Sequence, residues 1–299
     1  SISRASFFDR CTVNALGAVG GSGGDNPADA IAYIIDTFLP RARRNVTRFA
    51  VARAKLLAWQ FGAVLTNPGD SRVFLQRMAA QCNSLLYEDE SGEFVLIVLD
   101  DTRVFQREYD IANIVEGSFG LTLESRDVVY SEFEVWFGAS PQGGESETDF
   151  ASMTYATPKA TTAPDGIALT SLCAIAEQVL GQARLKQVFA EFIPDLATAN
   201  LLLSTLVLRY TARHQLVEFR TWLDAAPVQV GDYILLTHPV LLAETLPVLA
   251  EVTGKTIDCA KMQVGIIARV LLTAAWHEPW EWTLAPTGDT TQYDEGWEE

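Results

Sequence analysis

The stretch Val207 to Pro239 reads VLRYTARHQLVEFRTWLDAAPVQVGDYILLTHP and decides how the chain is understood. A helix end runs directly into a strand over Leu216 to Leu223. Pro227 marks a turn, and Val230-Gly231-Asp232 opens a second strand. The spacing predicts a hairpin with a helix brought up to it and other strands paired against it. The stretch holds no nucleophile–base pair and no ligands at metal spacing, so it reads as a building part.

Downstream, Val240 to Leu249 reads as a helical or irregular insert, and Val264 to Ala274 and Glu281 to Leu284 as closing strands. The tail from Thr287 to Glu299 is acidic and polar. Upstream, helices are expected over Leu169 to Leu180, Ala183 to Phe192 and Ala197 to His214. A Thr-, Pro- and Ala-rich linker, Pro158 to Gly166, precedes them.

The first hundred residues open with a Gly-rich piece, Gly17 to Asn26, read as a flexible joint; phosphate binding is the minority reading. Pro27 to Phe38 has helical apolar spacing, with Asn26 or Asp25 as N-cap and Pro27 at the first turn. Arg41, Arg43, Arg44 and Arg48 form a basic cluster, read as a solvated helix end. Further helices are expected over Phe49 to Trp59 and from Asp70 or Ser71 to Asn83, with Val73, Phe74, Met78 and Cys82 on the inner face of the latter. Phe61 to Leu65 reads as a short strand. Leu85 to Glu88 and Phe94 to Leu99 flank Asp89-Glu90-Ser91-Gly92 as a hairpin with a Gly turn. Further strands are expected at Ile114 to Val115, Gly120 to Leu123, Tyr130 to Phe137 and Phe150 to Tyr155, with a surface loop over Ser140 to Asp149. In the third of these Phe133, Val135 and Phe137 alternate with Glu132, Glu134 and Trp136.

Composition narrows the function classes. The 299 residues are 48% apolar, enough to bury a sizeable core. A net charge of −16 disfavours duplex binding, which needs clustered Lys and Arg to neutralise phosphate. Cys11, Cys82, Cys173 and Cys259 are far apart and read as four buried free thiols. No signal peptide and no membrane span is expected; the most apolar run, Leu196 to Tyr210, is interrupted by polar residues. The chain starts with Ser1, which fits a processed product or a piece of a longer polypeptide.

Candidate chemistry is thin. Thr253-Gly254-Lys255-Thr256 mimics the end of a phosphate loop, but Leu249 stands where the first Gly belongs. His214, His238 and His277 are widely separated and read as structural. Asp100-Asp101, after an apolar strand, reads as a solvated strand end; as the minority reading it is the best carboxylate candidate for a cell-wall or glycan hydrolase. Trp276, Trp280 and Trp282 read first as simple core packing, with stacking on a host glycan or packing at an interface as the alternatives. No catalytic residue, cofactor or metal ligand is assigned.

Two parts resemble the hub or tail-tip proteins of long-tailed bacteriophages, including baseplate hubs and the host-specificity tail-tip protein of lambda-like phages. The first is Asn26-Pro27-Ala28-Asp29 opening the helix AIAYIIDTFL, then the helix from Phe49, then FLQRMAAQCNSLL and YEDESGEFVLIVLD. The second is Leu208-Arg209-Tyr210 followed by FRTWLDAAPVQVGDYILLTHP. Together they cover about residues 26–100 and 196–285; the middle of the chain matches less well. The ring-forming domain usual in such proteins has no counterpart before residue 26, which suggests a fragment or a reduced hub.

The resemblance implies a homotrimer that joins the tail tube to the distal tip. Its partners would be the tube or distal tail protein and tip or fibre proteins. It implies a place in the virion tail after assembly in the host cytoplasm, with roles in host attachment and DNA ejection. A negatively charged wall would let DNA slide through the channel without specific binding. The expected fold is α+β, several small mixed modules with a C-terminal antiparallel β-barrel-like domain. The expected division is 1–100 as a helical module, 101–165 as a β-rich module, and 166–299 as helices leading into the barrel-like domain. The expected role is structural and non-enzymatic.

Overall fold

The computed structural model of the chain describes residues 26–39, 42–62, 71–89, 91–99, 105–138, 140–141, 148–149, 153–158, 168–241 and 247–270. Helix α1 (Pro27–Phe38) begins where the sequence places it. Asn26 Oδ1 accepts the Ala28 N–H at 3.0 Å, and Pro27 occupies the first turn, where no donor is needed. The same side chain donates from Nδ2 to the carbonyls of Arg53 (3.2 Å) and Leu56 (3.0 Å), at the end of α2 (Val46–Lys55). One asparagine thus serves the start of one helix and the end of another. Asn45, which opens a formal glycosylation sequon, is the N-cap of α2 and accepts the Arg48 N–H at 3.0 Å.

Helix α3 (Ser71–Gln81) turns Leu75, Met78 and Ala79 inward, followed by Cys82. Val73, expected on that face, is 52% exposed. Strand β1 (Arg43–Arg44) lies parallel to β3 (Glu93–Val98), which pairs antiparallel with β2 (Ser84–Glu88). The expected Gly turn joins β2 to β3: Gly92 has φ +76°, and Asp89 Oδ1 accepts the N–H groups of Ser91 and Glu93. Residues 61–62 are not strand, and 63–65 lie outside the described residues.

These elements share one apolar core with a stretch a hundred residues downstream. There β6 (Glu132–Phe137) pairs antiparallel with β9 (Thr154–Ala156), after the short ribbon of β7 (Ser140–Pro141) and β8 (Thr148–Asp149). On its other side β6 pairs in parallel with β10 (Leu185–Phe189). Helices α4 (Leu169–Leu180) and α5 (Leu196–Tyr210) complete the layer. The alternation holds: Phe133, Val135 and Phe137 are buried, among Leu169, Leu202, Leu203 and Val207. Each such side chain contributes about 1.5–3 kcal/mol by leaving water. Phe192 stitches the two stretches together, with ring centroids 6.0 Å from Phe61 and 5.3 Å from Phe74.

The second core belongs to a six-stranded sheet. Its strands are β4 (Phe105–Asp110), β5 (Gly120–Leu123), β11 (Gln215–Trp222), β12 (Tyr233–Thr237), β13 (Val248–Asp258) and β14 (Gln263–Val270), in the order β4-β12-β13-β14-β11-β5. The helix α5 does lead into β11, but β11 and β12 do not form the expected hairpin. β13 and β14 lie between them. The insert expected over Val240 to Leu249 ends in a long strand, because Val248 and Leu249 already pair with Leu236 and Leu235. The helix expected over Ala183 to Phe192 is also a strand. Leu185, Val188, Phe189 and Phe192 mimic helical spacing, but five ladder partners on β6 override it.

The mixed α+β character stands, and among the described residues the C-terminal sheet is not closed into a barrel. β4 joins β12 in parallel, and among the described residues no ladder joins β4 to β5. The sheet instead curls. Tyr109 of β4 and Phe219 of β11 would be about 19 Å apart across a flat sheet. Their ring centroids are 5.4 Å apart.

The double role of Asn26 gives a graded test. Asn26→Ser keeps the cap acceptor and loses the two amide donations; Asn26→Ala loses both. Urea unfolding is expected to show a loss of about 1 kcal/mol for Ser and about 2 kcal/mol or more for Ala.

Candidate functional site

The described chain brings its charged side chains together at the seam between the two cores. At the end of β5, Glu124 donates its N–H to the His214 carbonyl (2.9 Å), and its own carbonyl accepts from Arg213 Nε (2.8 Å). Two chain crossings are thereby clamped to each other. The Glu124 carboxylate accepts from Arg269 on β14, with Nη2 at 2.7 Å. Across the seam, Arg209 of α5 donates to Glu251 of β13 at 2.9 Å. Glu251 and Arg269 face one another in the β13–β14 ladder, so acidic and basic groups alternate along the seam. Both carboxylates are buried, Glu251 to 2% exposure. His214 is buried in the same place, with Nε2 3.0 Å from the Arg209 carbonyl.

A second contact explains the Gly231-Asp232 pair that opens β12. Gly231 has φ +88°, and a Cβ there would lie 3.2 Å from Ile97 of the β2–β3 hairpin. Only glycine meets both demands. Asp232 accepts the Gln229 N–H at 2.9 Å and lies 3.6 Å from Arg48 of α2. Burial pushes the Asp232 carboxyl above its ordinary range, opposed by the Gln229 N–H and by Arg48. Two members of the basic cluster are therefore ion-paired rather than simply solvated: Arg48 with Asp232, and Arg44 with Asp36.

The other sequence candidates do not converge. Thr253 to Thr256 lie within β13, Gly254 packs against Ile267, and Lys255 Nζ donates to the Ala226 carbonyl. No phosphate cradle is formed there. His238 stacks on Phe119, ring centroids 3.7 Å apart, and its Nδ1 accepts the Val240 N–H. Asp100, Asp101, His277, Trp276, Trp280, Trp282 and the Gly-rich stretch up to Asp25 lie outside the described residues. Among the described residues, no cluster of His, Cys, Asp or Glu could hold a metal ion, and no helix is long and apolar enough to cross a membrane.

Two exposed apolar surfaces escaped the sequence reading. On the outer face of β10-β6-β9 the rings of Phe189, Trp136 and Tyr155 form a row, with centroids 6.0 and 5.1 Å apart. Trp222, Met262 and Ile267 are exposed around the β11–β14 pair. The outward face of β6 carries Trp136 between strand neighbours and was legible in the alternation. Its partner Phe189 was hidden by the helical spacing.

No protein-family model and no curated protein sequence matches the chain. Solved structures do. The chain is similar to a chain in the virion of a native gene transfer agent particle, with TM-score 0.51 and 11% identity, over 84% of this chain and 48% of that one. It is also similar to a tail protein from Neisseria meningitidis MC58, with TM-score 0.47 and 12% identity, over 89% and 72%. A third is the 43 kDa tail protein of prophage MuSo2 from Shewanella oneidensis, with TM-score 0.43 and 11% identity, over 89% and 70%. The first of these shows a shared fold. The chain spans about half the length of that virion chain.

The seam makes a sharp energetic statement. Arg209→Met strands the buried Glu251 carboxylate and is expected to cost about 3–5 kcal/mol in denaturant unfolding. Arg209→Met with Glu251→Met removes both charges and is expected to recover more than half of that loss. A double variant as unstable as the single would show that the pair is not the source.

Proposed function

We propose that the chain is a structural, non-enzymatic component of a phage tail or a phage-derived tail, seated as a hub at the distal end of the tail tube. The observation that carries this reading is the fold shared over 84% of the chain with a protein of a gene transfer agent virion. The seam fits it, since the carboxylates of Glu124 and Glu251 are each held by an arginine. β4 and β5, the edge strands of the curled sheet among the described residues, would offer backbone groups to a neighbouring copy. The Trp222 surface offers apolar area beside them.

The reading takes the assembly as a homotrimer, closed by heterologous contacts. Its partners are the tube or distal tail protein on one side and tip or fibre proteins on the other. It belongs to the virion, is assembled in the host cytoplasm, and serves host attachment and DNA ejection. The net charge of −16 suits the wall of a DNA channel, because it repels phosphate and leaves DNA free to slide.

Light scattering with negative-stain imaging of one purified sample tests this. The expected result is a particle of three times the 32.8 kDa chain mass with threefold class averages. Trp222→Glu is expected to weaken the trimer about tenfold or more while the monomer stays folded, as one buried apolar anchor lost from an interface would. A persistent monomer with turnover on a glycan or cell-wall substrate would overturn the reading.

A further inference from the structure

We propose that His214 is an acid-sensitive latch in the seam, so that a proton added to its ring loosens the six-stranded sheet from the helical core. The geometry fixes the tautomer. Nε2 lies 3.0 Å from the Arg209 carbonyl, which only accepts, so Nε2 carries the hydrogen. Nδ1 then holds a lone pair, and it is buried with no hydrogen-bond partner among the described residues. The residue is 3% exposed.

The groups around the ring leave no place for a second proton. From α5 comes Arg209 and from β14 Arg269, both cations. Glu124 at the end of β5 is engaged by Arg269, and Glu251 of β13 is engaged by Arg209. Protonated His214 would put an unsatisfied N–H and a charge in a buried site beside guanidinium groups. Burial holds the imidazole below its ordinary value, helped by the arginines and opposed by the Arg209 carbonyl and by Glu124.

The position gives the proton leverage. The His214 carbonyl accepts the Glu124 N–H, and four residues earlier the Tyr210 carbonyl accepts the Tyr130 N–H at 2.8 Å. These two bonds tie the β5 crossing to the α5 crossing. A ring that must reach water to be protonated pulls on both.

The sign follows from the lowered value. Above the ordinary imidazole pKa of about 6.5 the ring is neutral whether the seam is closed or open. Below it the open form takes up a proton that the closed form refuses, and closure weakens until pH reaches the closed-form value.

Amide hydrogen exchange of the full chain, corrected for intrinsic rates, tests this between neutral and mildly acidic pH. The Glu124 and Tyr130 amides are expected to lose protection by up to about tenfold per pH unit below about 6.5, as one proton dictates. The β2–β3 hairpin amides are expected to keep theirs. In His214→Gln, whose side-chain amide can still donate to the Arg209 carbonyl, protection is expected to stay level. Equal loss in wild type and His214→Gln overturns the latch. Should the variant not fold, an NMR titration of wild-type His214 decides: protonation at or above about pH 6.5 overturns the proposal, and protonation below it supports it.

Discussion

The carboxylate of Glu251 sits almost wholly out of water on a strand of the curled sheet, and the cation that satisfies it comes from a helix of the other core. A buried carboxylate without a partner costs several kcal/mol, so sheet and helix cannot separate cheaply. Much of the architecture serves that meeting. Helix α5 is capped at its start by Asp195, packs on β6, and ends so that Arg209 reaches across the seam. The Gly231-Asp232 turn brings a third buried carboxylate toward Arg48 of α2. Two cores built from interleaved stretches of chain are thereby held in one relation to each other.

Local chemistry was readable where the partners are local. The cap at Asn26, the turn at Gly92 and the alternation at Phe133, Val135 and Phe137 each depend on a few neighbouring residues. Phe105 to Asp110 went unseen as a strand, because FQREYD shows no simple alternation and its partner β12 lies more than a hundred residues away. The false hairpin of β11 and β12 has the same origin. Both stretches are strands, but their true neighbours are two strands from before the inserted helical layer and two strands still to come. At β10 local spacing favoured a helix, and pairing with β6 prevailed.

The seam was the least legible part. Arg209 and Glu251 are 42 positions apart, and Glu124 and Arg269 are 145 apart. With 38 acidic residues in the chain, no pattern in the sequence singles out these four side chains. The Gly-Asp pair was visible as the start of a strand, yet its reason, close approach to Ile97 and a reach toward Arg48, exists only in the fold. His214 was read as structural and proves buried, but the unpaired nitrogen that makes it interesting could not be foreseen.

Buried charges at the seam are spent on one another, and Trp222 and Ile267 are exposed on a face of the six-stranded sheet. The central claim is that the chain sits at one end of a tail tube. Negative-stain imaging of purified tail tubes mixed with the chain tests this most directly. The account predicts density at one end of each tube, saturating at a single ring. Tubes left bare, or decorated evenly along their sides, would contradict it.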